Sequence, residues 1–173
     1  MSKIGDAQEE KPLDDLYILS VLVEDKPGVL FRVTNLFRAR NFNIESITVG
    51  YSEAADLSRM TITTRSDDHT LDQLVKQLGK LIDVVQVRVL NRLTTVYREL
   101  ALIKMNAQDP TSRAEITNLA SVFRGKILDI NKFTLTVEIT GTPSKIDAFR
   151  NLVSDFGIVQ LARTGVSALP RGV

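Results

Sequence analysis

One pattern of apolar spacing runs through this sequence twice, and the order of its pieces leaves few folds open. It begins with "LYILSVLVE" (Leu16–Glu24), apolar at both parities, as in a central strand buried on both faces. From Gly28 the spacing becomes helical. Val29, Val33, Leu36 and Arg40 make one stripe, Leu30 and Phe37 widen it, and the helix should stop near Asn41. Residues 43–52 alternate, with Ile47, Val49 and Tyr51 on one side and Ser46, Thr48 and Gly50 on the other. Residues 57–64 alternate again, so the polar stretch 53–56 reads as a hairpin turn. "SDDHTLDQLVKQLGKL" spaces Leu71, Leu74, Val75 and Leu78 as a helix does. Thr70 with Gln73, or else Asp67 or Asp68, would cap it. Residues 82–90 close the set as a strand.

The order then recurs. Residues 96–107 read as a strand. "DPTSRAEITNLASVFRG" reads as a helix with Ser112 and Glu115 as a capping box, Ile116, Leu119, Ala120 and Phe123 as its stripe, and Gly125 as its stop. "KILDIN" and "FTLTVEIT" make a hairpin, "TPSKIDAFRNLVSDF" a helix capped by Thr142 with Pro143 in its first turn, and "GIVQLARTGV" the last strand. Strand, helix, strand, strand, helix, strand is the split βαβ or ferredoxin-like order. Right-handed crossovers put both helices of each unit on one sheet face. The expected class is therefore α+β, with two tandem ferredoxin-like βαββαβ units. A flexible tail (1–15) precedes a first unit (16–92) and a second (93–173), which meet near 91–95. Units this small bury only about 60% of their chain surface. They are expected to pack on each other or to assemble between chains.

Charge and cysteine content narrow the function. Lys and Arg number 22 against 21 acids, a net charge of +1, so bulk charge gives no support to nucleic-acid or membrane binding. There is no cysteine, hence no disulfide, thiol catalysis or usual structural zinc site. No apolar run is long enough to span a bilayer, and "MSKIGDAQEEKPLDD" lacks the apolar core of a signal peptide. The expected location is the cytoplasm.

Catalytic groups are few. His69 sits beside acids before a helix and reads as a solvated cap-region residue. Asp14-Asp15 and Asp67-Asp68 have no basic or nucleophilic neighbour, and no phosphate-loop or zinc spacing occurs. The RNA-binding version of this fold needs aromatics on its central strands, and "LSRMTITT" and "KILDIN" have none.

What is left is Asp25-Lys26-Pro27-Gly28, between the first strand and the first helix. It reads as a tight turn, with Pro fixing φ and Gly free of that limit. It also reads as a cradle. The first N–H groups of a helix lack internal partners, and a carboxylate can dock on them. Gly28 leaves the approach open, and Asp25 could accept from an ammonium group. The matching junction of the second unit, "NAQDPTS", has no Pro-Gly pair. A pair that the fold itself required should appear in both copies; a ligand site retained in the first explains the difference, and so would drift in the second.

The first half resembles an ACT domain, the small ferredoxin-like module that binds amino acids. The whole chain resembles the small (regulatory) subunit family of acetolactate synthase, or acetohydroxyacid synthase. The resemblance rests on "LSVLVEDKPGVLFRVTNLF", "NFNIESITVG", "LSRMTI", "KLIDVVQV", "RELALIKM", "FRGKILDI", "TGTPSKIDAF" and "ARTGVSALPRG", in that order. It implies a non-catalytic chain that activates a catalytic (large) subunit and makes it sensitive to valine. The thiamine diphosphate, magnesium and FAD would lie in that partner and none in this chain. It also implies a homodimer or larger assembly through the ACT domains, with valine between two copies. The matching positions are Asp25, Lys26, Pro27, Gly28, Val29 and Leu30 in the loop, and Asn43 and Ile44 at the start of strand two. Many family members have Asn where this chain has Asp25. An acid there repels a carboxylate and attracts an ammonium. A stand-alone amino-acid sensor acting on another enzyme or on transcription is the alternative, and it would call for a helix-turn-helix segment or a basic patch, neither of which is visible.

Overall fold

The structure, a computed structural model, describes residues 16–172; the expected tail at 1–15 lies outside them. The chain follows the ferredoxin-like order twice. The first pass is β1 (Leu16–Glu24), α1 (Val29–Ala39), β2 (Ile44–Tyr51), β3 (Leu57–Arg65), α2 (Asp68–Leu78) and β4 (Val84–Leu90). A short 3-10 turn, Arg92–Thr94, leads into the second: β5 (Thr95–Asn106), α3 (Pro110–Val122), β6 (Lys126–Ile130), β7 (Thr134–Gly141), α4 (Pro143–Val153) and β8 (Ile158–Arg163). A further strand, β9 (Ser167–Pro170), follows. The sheets run β2-β3-β1-β4 and β6-β7-β5-β8, all antiparallel at neighbouring strands.

Each sheet buries one face under its two helices. In the first, Leu19, Val21 and Val23 of β1 meet Val33 and Phe37 of α1 and Leu74 and Leu78 of α2. In the second, Ala101, Ile103 and Met105 of β5 meet Ile116 of α3 and Ile146 and Phe149 of α4. Phe149 also makes an edge contact with Phe123, their ring centres 5.3 Å apart. The α1 stripe is narrower than its spacing predicts. Val29, Val33 and Phe37 are buried, Leu36 is half-buried, and Leu30 and Arg40 are exposed.

Several details differ from the sequence reading. The cap of α3 is Asp109, not Ser112. Asp109 accepts from the Ser112 N–H at 2.8 Å and from its hydroxyl at 2.6 Å. Pro110 at the first helical position sets the start one turn earlier than a Ser112 cap would. The same geometry makes Asp67 the cap of α2, accepting from Thr70 N–H and hydroxyl. These bonds hold both carboxyls below their ordinary range. Gly125 is not the left-handed stop of α3. That residue is Arg124, at φ 53°. Gly125 is needed because a Cβ there would lie 2.3 Å from Ile139 Cδ1. The N–H of Gly125 reaches back to Ala120 O and that of Arg124 to Ser121 O, a Schellman ending. α1 ends the same way: Phe42 N–H reaches Phe37 O and Asn41, at φ 58°, reaches Arg38 O. Two unrelated residue pairs thus build one turn at equivalent places in the two halves. Ile82, expected in a strand, precedes β4 and is exposed.

β9 joins the halves. It pairs with the first four residues of β5, ahead of the part that β7 and β8 use. Val166 and Ala168 then pack on Ile18 and Leu90 of the first sheet, with Tyr97 alongside. The Thr48 hydroxyl donates to Val166 O, so the C-terminal segment covers part of the sheet face that the helices leave open. That contact answers the expectation that the halves pack on each other.

Candidate functional site

The end of β1 is pinned from two sides. Glu24 N–H donates to Asp83 O at 2.9 Å, and Asp25 N–H to Asp56 O at 2.8 Å. The Asp25 carboxylate accepts from the Ser58 hydroxyl at 3.1 Å, which fixes it at the mouth of the β2–β3 hairpin. Lys26 turns away. Its ammonium donates to Glu24 at 2.7 Å, and that bond raises its pKa above the ordinary value. Pro27 follows, and Gly28 stands at the N-cap of α1 with φ 86° and ψ −7°. L-residues adopt that conformation only at a cost, so the turn by itself accounts for the glycine; the second unit lacks the pair because its helix starts differently, on an Asp109 cap with Pro110.

α1 differs from the other three α-helices in one respect. Asp67, Asp109 and Thr142 each cap their helix through a side chain. α1 has no side-chain cap, and its first turn contains no acid. The partial positive charge of a helix N-terminus is therefore not neutralised there by a neighbouring side chain. Arg32 adds a full charge beside it. A Cβ on Gly28 would lie 3.4 Å from Arg32 Nη1, and Arg32 Nε donates to Asp83 at 2.5 Å. Sequence reasoning passed over Arg32 and Asp83. The signal was available for Arg32, which lies four residues beyond Gly28 and so on the same helix face. Nothing local marks Asp83.

Asn43 and Ile44 are elsewhere. Register places Ile44 and Tyr17 both opposite Thr64, at the start of β1, whereas the loop follows Glu24. Seven residue steps of ~3.3 Å separate the two levels, about 23 Å. Asn43 is exposed, its amide donates to Glu45 at 3.2 Å, and its carbonyl accepts from Thr64. Val29 is buried in the core, Leu30 is exposed beside it, and Ile44 packs partly on the core. A single chain thus assembles the loop but not the whole candidate set. Between the two parts runs β2, the outer strand of its sheet, with Val49 and Tyr51 exposed at its end. Of the alternating trio expected on one face, only Ile47 reaches the core.

Among the described residues no cluster of three or more His, Cys, Asp or Glu is placed to hold a metal ion. No helix there is long and apolar enough to cross a membrane.

Fold and loop define a class: a pair of ferredoxin-like units of which the first is an ACT domain. Two family models match, "AHAS small subunit-like ACT domain" over residues 19–86 and "Small subunit of acetolactate synthase" over residues 98–172. The chain is 53% identical to the probable acetolactate synthase small subunit of Methanothermobacter thermautotrophicus, over 91% of this chain and 94% of that one. It is 47% identical to the acetolactate synthase small subunit of Mycolicibacterium smegmatis, over 90% and 91%. The crystal structure of the small subunit from Thermotoga maritima superposes with a TM-score of 0.84 at 44% identity, covering 91% of this chain and 98% of that one. The chain belongs to the acetolactate synthase small-subunit family.

Proposed function

We propose that this chain is the regulatory subunit of an acetolactate synthase, raising the activity of a catalytic subunit and conferring inhibition by valine. The work belongs to branched-chain amino-acid synthesis in the cytoplasm, and the thiamine diphosphate chemistry, with its magnesium and FAD, belongs to the partner. One observation carries the reading: the loop at Gly28 and the pair Asn43-Ile44 lie at opposite ends of one sheet, with an exposed edge strand between them. An edge strand favours a second strand beside it. Antiparallel pairing of two β2 strands about a two-fold axis sets the start of each against the far end of the other. β1 and β2 run parallel, since both are antiparallel to β3. That far end is therefore the end of the sheet where the partner copy's loop sits. Valine then lies between copies, its carboxylate toward the uncapped first turn of α1 and its ammonium toward Asp25. Inhibition follows by linkage, because valine favours the state of the complex in which this site is closed.

The test is direct. The chain is mixed with the catalytic subunit of the same organism, and acetolactate formation is measured with and without valine, leucine and isoleucine. Activity should rise when the chain is added and fall with valine. No change on either addition would reject the proposal in favour of a sensor acting on another target. Sedimentation at micromolar concentration should show a dimer or larger, and a single 19.3 kDa species would remove the shared site.

A variant pair assigns the effector to the first half. Asn43→Ala should weaken valine binding by about tenfold to a hundredfold, the worth of a hydrogen bond to a charged group. Asn131→Ala should have little effect, because that amide is occupied within its own hairpin turn, bonded to Phe133 and Thr134. Calorimetric titration with valine compares them. Equal losses would mean that the Asn43 amide makes no specific bond to the ligand.

A further inference from the structure

The groove between α1 and α2 has no part in the reading above. Leu36 and Leu81, both half-buried, and Ala39 line it with carbon. Arg32, Arg40 and Gln77 line it with hydrogen-bond donors. Apart from Asp83, which pairs with Arg32, the charges flanking it on α1 and at the end of α2 are positive. α1 and its C-cap hold Arg32, Arg38 and Arg40 and no carboxylate, and the end of α2 and the turn beyond it add Lys76 and Lys80. Among the described residues the only ion pair these five cations make is Arg32 with Asp83. A concave, carbon-lined surface with Arg40 unpaired on its wall and further cations on the same helices suits a segment that has acids beside an apolar stripe.

Arg32 gives the groove a second property. It lines the groove, and its guanidinium also stands against Gly28 in the candidate effector loop. A carboxylate arriving at the first turn of α1 meets the same side chain that a segment in the groove meets. The two sites therefore share one cation, and occupation of one alters what the other is offered. A regulatory subunit needs a surface whose contacts differ with effector state.

The geometry points to the α1–α2 groove as the docking surface for an acidic, apolar-faced segment of the catalytic subunit, with Arg32 common to docking and effector binding. This rests on the reading that such a partner exists. A second copy of the chain is the competing occupant, and the test separates the two.

Because the sequence contains no cysteine, Asn35→Cys gives a single attachment point in the groove. A photo-crosslinker placed there in the reconstituted holoenzyme should capture a segment of the catalytic subunit rich in Asp or Glu, identified by mass spectrometry. Arg40→Glu should raise the concentration of chain needed for half-maximal activation by about tenfold or more, since it opposes like charges at the contact. Changing the captured acid to Lys should restore activation by that variant. Valine binding to the Arg40→Glu chain alone should stay near wild type, and Lys132→Glu in the β6–β7 turn should activate normally. If Arg40→Glu lowers the helix signal in circular dichroism, Gln77→Glu replaces it. Crosslinks confined to a second copy of the chain, or activation by Arg40→Glu at the wild-type concentration, would overturn the assignment while leaving the regulatory reading intact. A wild-type chain that fails to activate the catalytic subunit overturns both.

Discussion

Gly28→Asp is expected to abolish the response to valine while the chain remains folded and, at saturating concentration, still activates its catalytic partner. Gly28 caps α1 in the left-handed region, at φ 86°. Asp is among the L-residues that tolerate that region best, at a cost of about 1–2 kcal/mol. That is less than the usual 5–15 kcal/mol of folding stability, given as an order of magnitude. Nothing blocks the new side chain, because its Cβ would make ordinary contact with Arg32 Nη1 at 3.4 Å. Its carboxylate would lie beside that guanidinium and the uncapped first turn, where the proposal places the carboxylate of valine. The ligand then loses charge-assisted bonds and meets a like charge, which should weaken binding by roughly a hundredfold or more. Gly28→Ala carries the strain without the charge and should weaken binding much less. Inhibition curves for both variants decide the matter, and an unchanged curve for Gly28→Asp would move the effector to another site.

The second large effect is on stability, and it should be confined to one half. Phe149 is wholly buried and its ring edge meets Phe123. Phe149→Ala should cost the second half about 3–5 kcal/mol. The equivalent loss in the first half is Phe37→Ala, which removes the edge contact with Phe42. Each core is built from its own sheet and helices, and the cluster that joins the halves contains four buried residues against twelve and eleven in the cores. Phe149→Ala should therefore split denaturant unfolding into two steps, with the second half lost first. Its valine affinity below the first step should match wild type. Phe37→Ala should lower valine affinity as well, because Phe37 anchors the helix whose first turn receives the ligand. A single cooperative transition in both variants would show that the small joining cluster couples the halves more tightly than its size implies.

Order, type and repetition of the main elements were legible along the chain because they rest on local spacing. The strand at Leu16–Glu24, the helical stripes and the hairpin turns are each written within a dozen residues. Caps were less legible. Ser112 and Asp109 are both good caps, and the choice fell to Pro110, whose ring suits the first helical position. Gly125 was visible as a glycine beyond a helix, but its reason is Ile139 on another strand. β9 was missed because "SALP" is too short to announce a strand, and its partner is the start of β5, some seventy residues earlier.

The candidate site divides along the same line. The sequence by itself determined that a Pro-Gly hinge joins strand to helix in one copy and not in the other, since φ preference and the missing Cβ are properties of the residues. Only the tertiary structure decided that Arg32 and Asp83 stand beside Gly28, and that Asn43, next to Ile44, lies at the far end of the sheet, about 23 Å along the strands from the level of Glu24. Those facts depend on strand register and on helix-to-sheet packing. Both come from burying apolar faces contributed by residues distant in the chain, and no local window of sequence contains them.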